Sequence, residues 1–325
     1  MRGIDQDVKD GKFSKAYLLF GTEEYLKSYY KKKLCGALCD PEDTMNYTRF
    51  EGKDVNPAAV IDLAETLPFF KDRRLILIEN SGFFKGSCDE LADYLKSPCE
   101  TTCFVFCEND VDKRSRMYKA VKNAGRIEEL VSPGEDELVS WCAALFKRYE
   151  KKVRRGSILR LFEQSGTDMN VLKNEIEKVV SYMGGREIVE DADIDEVCTR
   201  EIRNQIFDMV EAITDKKSRK AFSLYYDLLA LKEPPMRILF LIARQFNMLM
   251  QVKELSQITR DPKELAGKTG LHPYVAKKYL MKCPSYSMDY LKQALEECLS
   301  LEQDVKSGKL TDTMAVELLI AEKSK

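Results

Sequence analysis

Three short runs constrain this chain most: Ala16-Tyr17-Leu18-Leu19-Phe20, Leu75-Ile76-Leu77-Ile78 and Cys103-Phe104-Val105-Phe106-Cys107. Each is apolar throughout and lacks the alternation of a strand with one wet face, so each predicts a strand buried on both sides. Met45 to Phe50 alternates and reads as another strand, and Arg126 to Leu130 as a last one. Helical segments separate them: one starting Glu23-Glu24-Tyr25-Leu26 behind a Thr22 N-cap, then Pro57 to Thr66, Glu90 to Leu95 and Asp112 to Lys122. Doubly buried strands alternating with helices imply an α/β domain, a parallel sheet with helices on both faces.

That pattern stops at Ser132-Pro133-Gly134-Glu135, where Ser132 and Glu135 have the spacing of a capping box. Only helices follow. Val139 to Tyr149, Ile158 to Gln164, a helix from Asp168 stopped by Gly184-Gly185, and Asp191 to Thr199 suit a small domain. From near Gln205 come Phe207 to Thr214, Ser218 to Leu231, a long helix after Pro234-Pro235, Val275 to Met281, Tyr290 to Val305, and a last helix capped by Thr311 and running through Ile320. The expected domains are 1–140, 141–205 and 206–325, in keeping with a length of 325 residues.

The residues argue against several chemistries. A net charge of -2 gives no overall basic field for nucleic acid. No apolar run is long enough for a membrane helix, and Met1-Arg2-Gly3-Ile4-Asp5 is unlike a secretory signal, so a cytoplasmic location is expected. The cysteines lack the tight spacing of zinc sites, and His272, the single histidine, is far from any cysteine pair. No metal and no disulfide framework are expected. The first strand ends on Gly21 and opens a helix, which invites a phosphate-loop reading. Yet Gly21-Thr22-Glu23-Glu24-Tyr25-Leu26 has one glycine, no lysine before Lys27, and two carboxylates where the anion would sit. Glu108, Asp110 and Asp112 cluster after a strand, but Lys113, Arg114 and Arg116 follow and can pair with them. No Gly-x-Ser-x-Gly elbow or triad is visible. No catalytic residue and no cofactor are expected.

One stretch asks for a partner. Leu67-Pro68-Phe69-Phe70 lies between the helix from Pro57 and the strand at Leu75, in a connection where large apolar groups are usually spared. Pro68 cannot continue the helix and turns Leu67 away from it. Two readings stand. The rings plug the space between helix and strand, which is the more ordinary arrangement, or they fill a partner's pocket, where aromatics dominate interface energetics.

The order of these features resembles the delta subunit of the bacterial DNA polymerase III clamp loader. Ala16 to Leu26 resembles that family's degenerate nucleotide loop, and Leu67-Pro68-Phe69-Phe70 with Asp72-Arg73-Arg74-Leu75 its clamp-binding element. Asp112-Lys113-Arg114-Ser115, Gly166-Thr167-Asp168 with Leu172 and Asn174 to Lys178, Ala243-Arg244-Gln245-Phe246, Leu271-His272-Pro273-Tyr274-Val275, and Asp304 to Gly308 are similar to later family segments. Asn247 departs from the pattern, since relatives more often carry arginine there. The resemblance implies an AAA+-like domain without ATPase chemistry, a helical lid and an all-α collar. It implies a subunit that binds the beta sliding clamp through Leu67, Phe69 and Phe70 and favours its open ring for loading onto primed DNA. Its partners would be the gamma/tau and delta prime subunits in a five-subunit ring, with DNA reached through the assembly and no membrane. The alternatives are an NTPase with a divergent loop, or a nucleic-acid module using Lys151-Lys152 and Arg154-Arg155.

Overall fold

A computed structural model describes residues 3–40 and 42–324. The chain divides into two compact units, Met1–Ser132 and Pro133–Lys325.

The first unit is built on a five-stranded sheet, β1 (Ala16–Phe20), β2 (Tyr47–Glu51), β3 (Arg74–Glu79), β4 (Thr102–Glu108) and β5 (Gly125–Glu129), in the order β2-β3-β4-β1-β5. Every pairing is parallel, with Leu18 opposite Phe106 and Ile76 opposite Phe104. The helices are α1 (Gly3–Asp10), α2 (Glu24–Leu38), α3 (Pro57–Ala64), α4 (Asp89–Tyr94) and α5 (Arg116–Ala124). Side chains alternate between two cores because successive strand residues point to opposite faces. Leu18, Ile76, Ile78, Phe104 and Phe106 pack with Val60, Leu91 and Val121, which come from α3, α4 and α5. Tyr17, Leu19, Leu75, Leu77 and Val105 pack with Ile4, Tyr30 and Leu34 from α1 and α2. This is why the central strands are apolar at every position.

Helix α1, absent from the sequence reading, is fastened by charge. Arg126 on β5 donates two bonds to buried Asp7, at 2.9 and 2.7 Å, and Asp7 also accepts from the Tyr17 hydroxyl at 2.9 Å. Burial pushes the Tyr17 phenol up to about 12.

The second unit is helical: α6 (Glu135–Arg148), α7 (Arg155–Ser165), α8 (Met169–Met183), α9 (Asp191–Val197), α10 (Ile202–Thr214), α11 (Ser218–Ala230), α12 (Pro235–Leu255), α13 (Pro262–Thr269), α14 (Pro273–Lys282), α15 (Met288–Lys306) and α16 (Asp312–Lys323). Asp168 caps α8 through Asn170 and Val171 N–H, as its position predicts, and Thr311 caps α16 through Met314 N–H. One apolar core runs from Ile206 to Ile320 and holds Tyr225, Ile242, Phe246, Leu291 and Leu319. His272 caps α14: its Nδ1 accepts from Tyr274 N–H at 3.2 Å, so the ring is neutral there, and burial pushes its pKa down to about 4.

Two capping expectations are corrected. Glu23, not Thr22, caps α2, its carboxylate accepting from Tyr25 N–H. Ser132 forms no capping box with Glu135. Gly134 occupies the cap of α6, its N–H donating to Glu137 at 3.1 Å, while the Ser132 hydroxyl donates to Glu23.

Candidate functional site

The connection between α3 and β3 exposes three large apolar side chains within four residues. Helix α3 ends at Ala64, a turn before Pro68, so the loop is already off the helix when proline is reached. Leu67, Phe69 and Phe70 are 73%, 54% and 89% exposed, which places them outside both cores of the sheet unit. The two rings meet edge to face, with centroids 4.5 Å apart.

The backbone beneath them is fixed by two buried polar side chains. Asn46, 1% exposed, accepts from Phe69 N–H at 2.6 Å and donates to Phe69 C=O at 3.0 Å. The same amide donates to Asp43 at 2.8 Å, and this hydrogen bond holds the Asp43 carboxyl below the usual range. Arg74, 5% exposed at the start of β3, gives its guanidinium to three carbonyls: Thr66 at 3.1 Å, Met45 at 3.1 Å and Leu67 at 3.3 Å. Buried polar groups need such partners, and four of these six are backbone groups of the loop itself. With residue 69 gripped on both sides, Phe70 takes a left-handed backbone, φ +51°, that a bulky residue adopts only when its surroundings impose it. The result is a fixed apolar wedge. Asn46 carried no signal in the sequence. Arg74 was visible only within the Asp72 to Leu75 run.

The turn after β1 is closed by comparison. Gly21 has φ +128°, and a Cβ there would lie 2.3 Å from Leu130 C=O. That carbonyl accepts Glu23 N–H at 3.0 Å, and Leu130 N–H donates to Phe20 C=O at 2.6 Å. The amide that a phosphate would need is thus already bound to protein. Glu24 pairs with buried Lys27 at 2.7 Å, and Lys27 also donates to Asn109. A cleft of about 140 Å³ opens beside this turn, lined by Glu24, Lys27, Lys31, Glu79, Asn80 and Asn109. Lys31 holds Glu79 at 2.6 Å, so both lysines of the cleft already have carboxylates.

The acidic cluster disperses. Asp112 pairs with Arg114 as expected, but Asp110 pairs with Lys85 at 2.8 Å. Glu108 is buried and accepts from Ser81 N–H and Oγ at 2.9 and 2.6 Å. Lys113 holds Glu129, and Arg116 holds Asp89 and Asp93. The basic run is also engaged: Lys151 caps the carbonyls of Gly184 and Arg186, Lys152 pairs with Glu187, and Arg155 with Glu135 and Asp136. Among the described residues no group of three or more His, Cys, Asp or Glu could hold a metal ion, and no helix is long and apolar enough to cross a membrane. Cys103 is buried in β4, and burial pushes its thiol up to about 12.

Fold and site together define an AAA+-like protein: a doubly covered parallel sheet, a nucleotide turn bound shut by its own backbone, and a helical C-terminal region. Two family models match the chain, DNA polymerase III, delta subunit over residues 17–130 and DNA polymerase III delta subunit, C-terminal domain over residues 203–323. Both describe one family, and the chain belongs to it: it is a member of the DNA polymerase III delta subunit family, homologous to the clamp-loader subunit that works in DNA replication. It is 25% identical to DNA polymerase III subunit delta of Bacillus subtilis (strain 168), covering 97% of this chain and 94% of that protein. It is 22% identical to the probable DNA polymerase III subunit delta of Aquifex aeolicus (strain VF5), covering 94% and 89%. Among solved structures it superimposes on the Bacillus subtilis DNA clamp loader delta protein with a TM-score of 0.79 at 24% identity, covering 99% of this chain and 98% of that one.

Proposed function

We propose that this chain is a clamp-loader subunit without catalysis of its own, which grips the beta sliding clamp with Leu67, Phe69 and Phe70 and favours the open ring. The observation that carries this reading is the wedge: two aromatic rings, 54% and 89% exposed, on a backbone that buried Asn46 and Arg74 hold in place. An apolar group held in its binding geometry loses little conformational entropy on docking, which suits a subunit that must stabilise a strained partner state. The closed turn at Gly21 to Glu23 supports a role without nucleotide hydrolysis, leaving ATP to neighbouring subunits.

In this reading residues 1–140 form the clamp-facing domain, 141–205 a lid and 206–325 a collar that joins gamma/tau and delta prime in a ring of five. Exposed Leu231, Phe240 and Met314 support a collar that meets neighbours. Primed DNA is engaged by the assembly, in the cytoplasm. The engaged state of Lys151, Lys152 and Arg155 argues against a separate DNA module centred on them.

The test is the double variant Phe69→Ala/Phe70→Ala, with clamp binding and thermal melting measured side by side. The reading expects lost clamp binding and ring opening in a protein that melts within a few degrees of wild type. A folded variant with undiminished clamp affinity removes the wedge from this account.

A further inference from the structure

We infer that the partner-binding surface is discontinuous, and that Met45, from a segment more than twenty residues before the wedge, is its fourth apolar contact. This inference rests on the clamp-binding reading above. It starts from Arg74, whose Nη1 donates to Met45 C=O and whose Nη2 donates to Leu67 C=O, at 3.1 and 3.3 Å. Two carbonyls bound to the two ends of one planar guanidinium are neighbours, so the backbones of Met45 and Leu67 run side by side. Asn46, the next residue, holds Phe69 by N–H and C=O. The turn before it is locked in the same way: the Asp43 carboxylate accepts from Met45 N–H and Asn46 N–H, both at 3.1 Å. The turn from Asp43 to Asn46 and the loop from Thr66 to Phe70 are therefore one hydrogen-bonded platform.

Met45 is 56% exposed although its backbone is fixed on both sides, and it has no place in either core of the sheet unit. A thioether side chain on a backbone fastened to the loop that carries the two phenyl rings is suited to the rim of an apolar pocket, where it can adjust to the partner's shape. Thr44 and Glu42 on the same turn, and Lys71 and Asp72 beyond the rings, are exposed and border the apolar group with polar residues, as at a docking patch. The occupant is the protein that receives the rings, because Arg74 and Asn46 bind the Met45 turn and the ring-bearing loop into one platform.

The test uses the full chain and purified beta clamp, with affinities measured for Met45→Ala, Met45→Glu, Met45→Leu and Phe69→Ala/Phe70→Ala. Because the Met45 side chain is mostly in solvent, each Met45 variant should melt within about two degrees of wild type. The expected pattern is a weakening of roughly three- to tenfold for Met45→Ala, a loss of about thirtyfold or more for Met45→Glu, and near wild-type binding for Met45→Leu. If Met45→Glu and Met45→Ala bind as wild type while the double phenylalanine variant does not, the surface is confined to residues 67–70 and the inference falls. If the double variant keeps its affinity, the clamp-binding reading fails first. In that case a loss with Met45→Glu alone also overturns the inference, which requires both segments.

Discussion

Two connections of the sheet unit use the same device for opposite ends. At the turn from Gly21 to Glu23 and at the loop from Thr66 to Phe70, protein groups bind part of the backbone. Leu130 takes Glu23 N–H in the first, and Asn46 and Arg74 take Phe69 and its neighbours in the second. In the first the side chains are consumed as well, Glu23 by Tyr25 N–H and Ser132, Glu24 by Lys27. In the second they are apolar and left outside. A satisfied backbone by itself therefore says nothing about function. The side chains differ: carboxylates at the turn, and about three side chains' worth of exposed apolar surface at the loop.

The largest effect that would break this contrast belongs to the rings. Each is expected to act as a hot spot of about 2 kcal/mol or more, so Phe69→Ala/Phe70→Ala should weaken clamp binding roughly a thousandfold. Its stability should barely change, since core phenylalanines cost about 3–5 kcal/mol each and these are not core. Unfolding of that variant would mean the rings serve the fold. The turn should behave in the reverse sense. Gly21→Ala puts a Cβ 2.3 Å from Leu130 C=O at a φ of +128°, so a loss of stability on the order of 2–3 kcal/mol is expected. Thermal melting reads it, and the folded fraction should bind clamp as wild type.

How much of this was legible follows from where the information lies. Ala16 to Phe20 and Cys103 to Cys107 announced buried strands because the signal is local and repeated at each residue. The Leu67 to Phe70 run was conspicuous because apolar residues stood where solvent was expected. Asn46 and Arg74 were not legible as the platform, since Asn46 works through the backbone of Phe69, distant in sequence, and polar pairing over such distance leaves no periodicity. Ser132 misled for the same reason: its partner is Glu23, 109 positions away. Helix α1 buries Ile4 and Asp7 and shows too little apolar pattern to be seen. Helix α13 was readable and missed, because Asp261 before Pro262 is a cap signal and Gly270 closes the helix in a left-handed conformation.

Acid should separate the helical unit from both loops. His272 has a folded pKa near 4 against an ordinary 6.5, so the unfolded chain binds a proton that the folded chain refuses between those values. Its stabilising contribution is complete above about pH 6.5 and declines as pH falls toward 4, by roughly 3 kcal/mol in total. Melting followed against pH should show this decline in wild type and lose most of it in His272→Asn, which keeps a capping oxygen. A slope unchanged in that variant would locate the acid sensitivity elsewhere. Smaller again is the platform effect. Asn46→Ala removes both bonds to Phe69, and about 1 kcal/mol of wedge positioning should appear as a fall in clamp affinity of roughly five- to tenfold. Hydrogen exchange across residues 66–72 should quicken in the same variant. Unchanged exchange beside unchanged affinity would show that the loop holds its shape without Asn46.

The smallest effect separates two features that would each keep an anion from the turn. Two causes coincide there: carboxylates at the helix start, which repel phosphate, and an amide already given to Leu130 C=O. Glu24→Gln removes one charge and leaves the backbone alone. Glu24 is exposed and its pair with Lys27 is a surface contact on one side, so stability should move by no more than about 0.5 kcal/mol. If closure of the backbone is the block, titration of this variant with Mg-ATP should remain as flat as that of wild type, because no N–H has been released. A saturable micromolar site appearing on loss of that one charge would mean the turn is a phosphate cradle held empty by electrostatics. The contrast with the wedge would then be one of charge rather than of which groups the fold has left free.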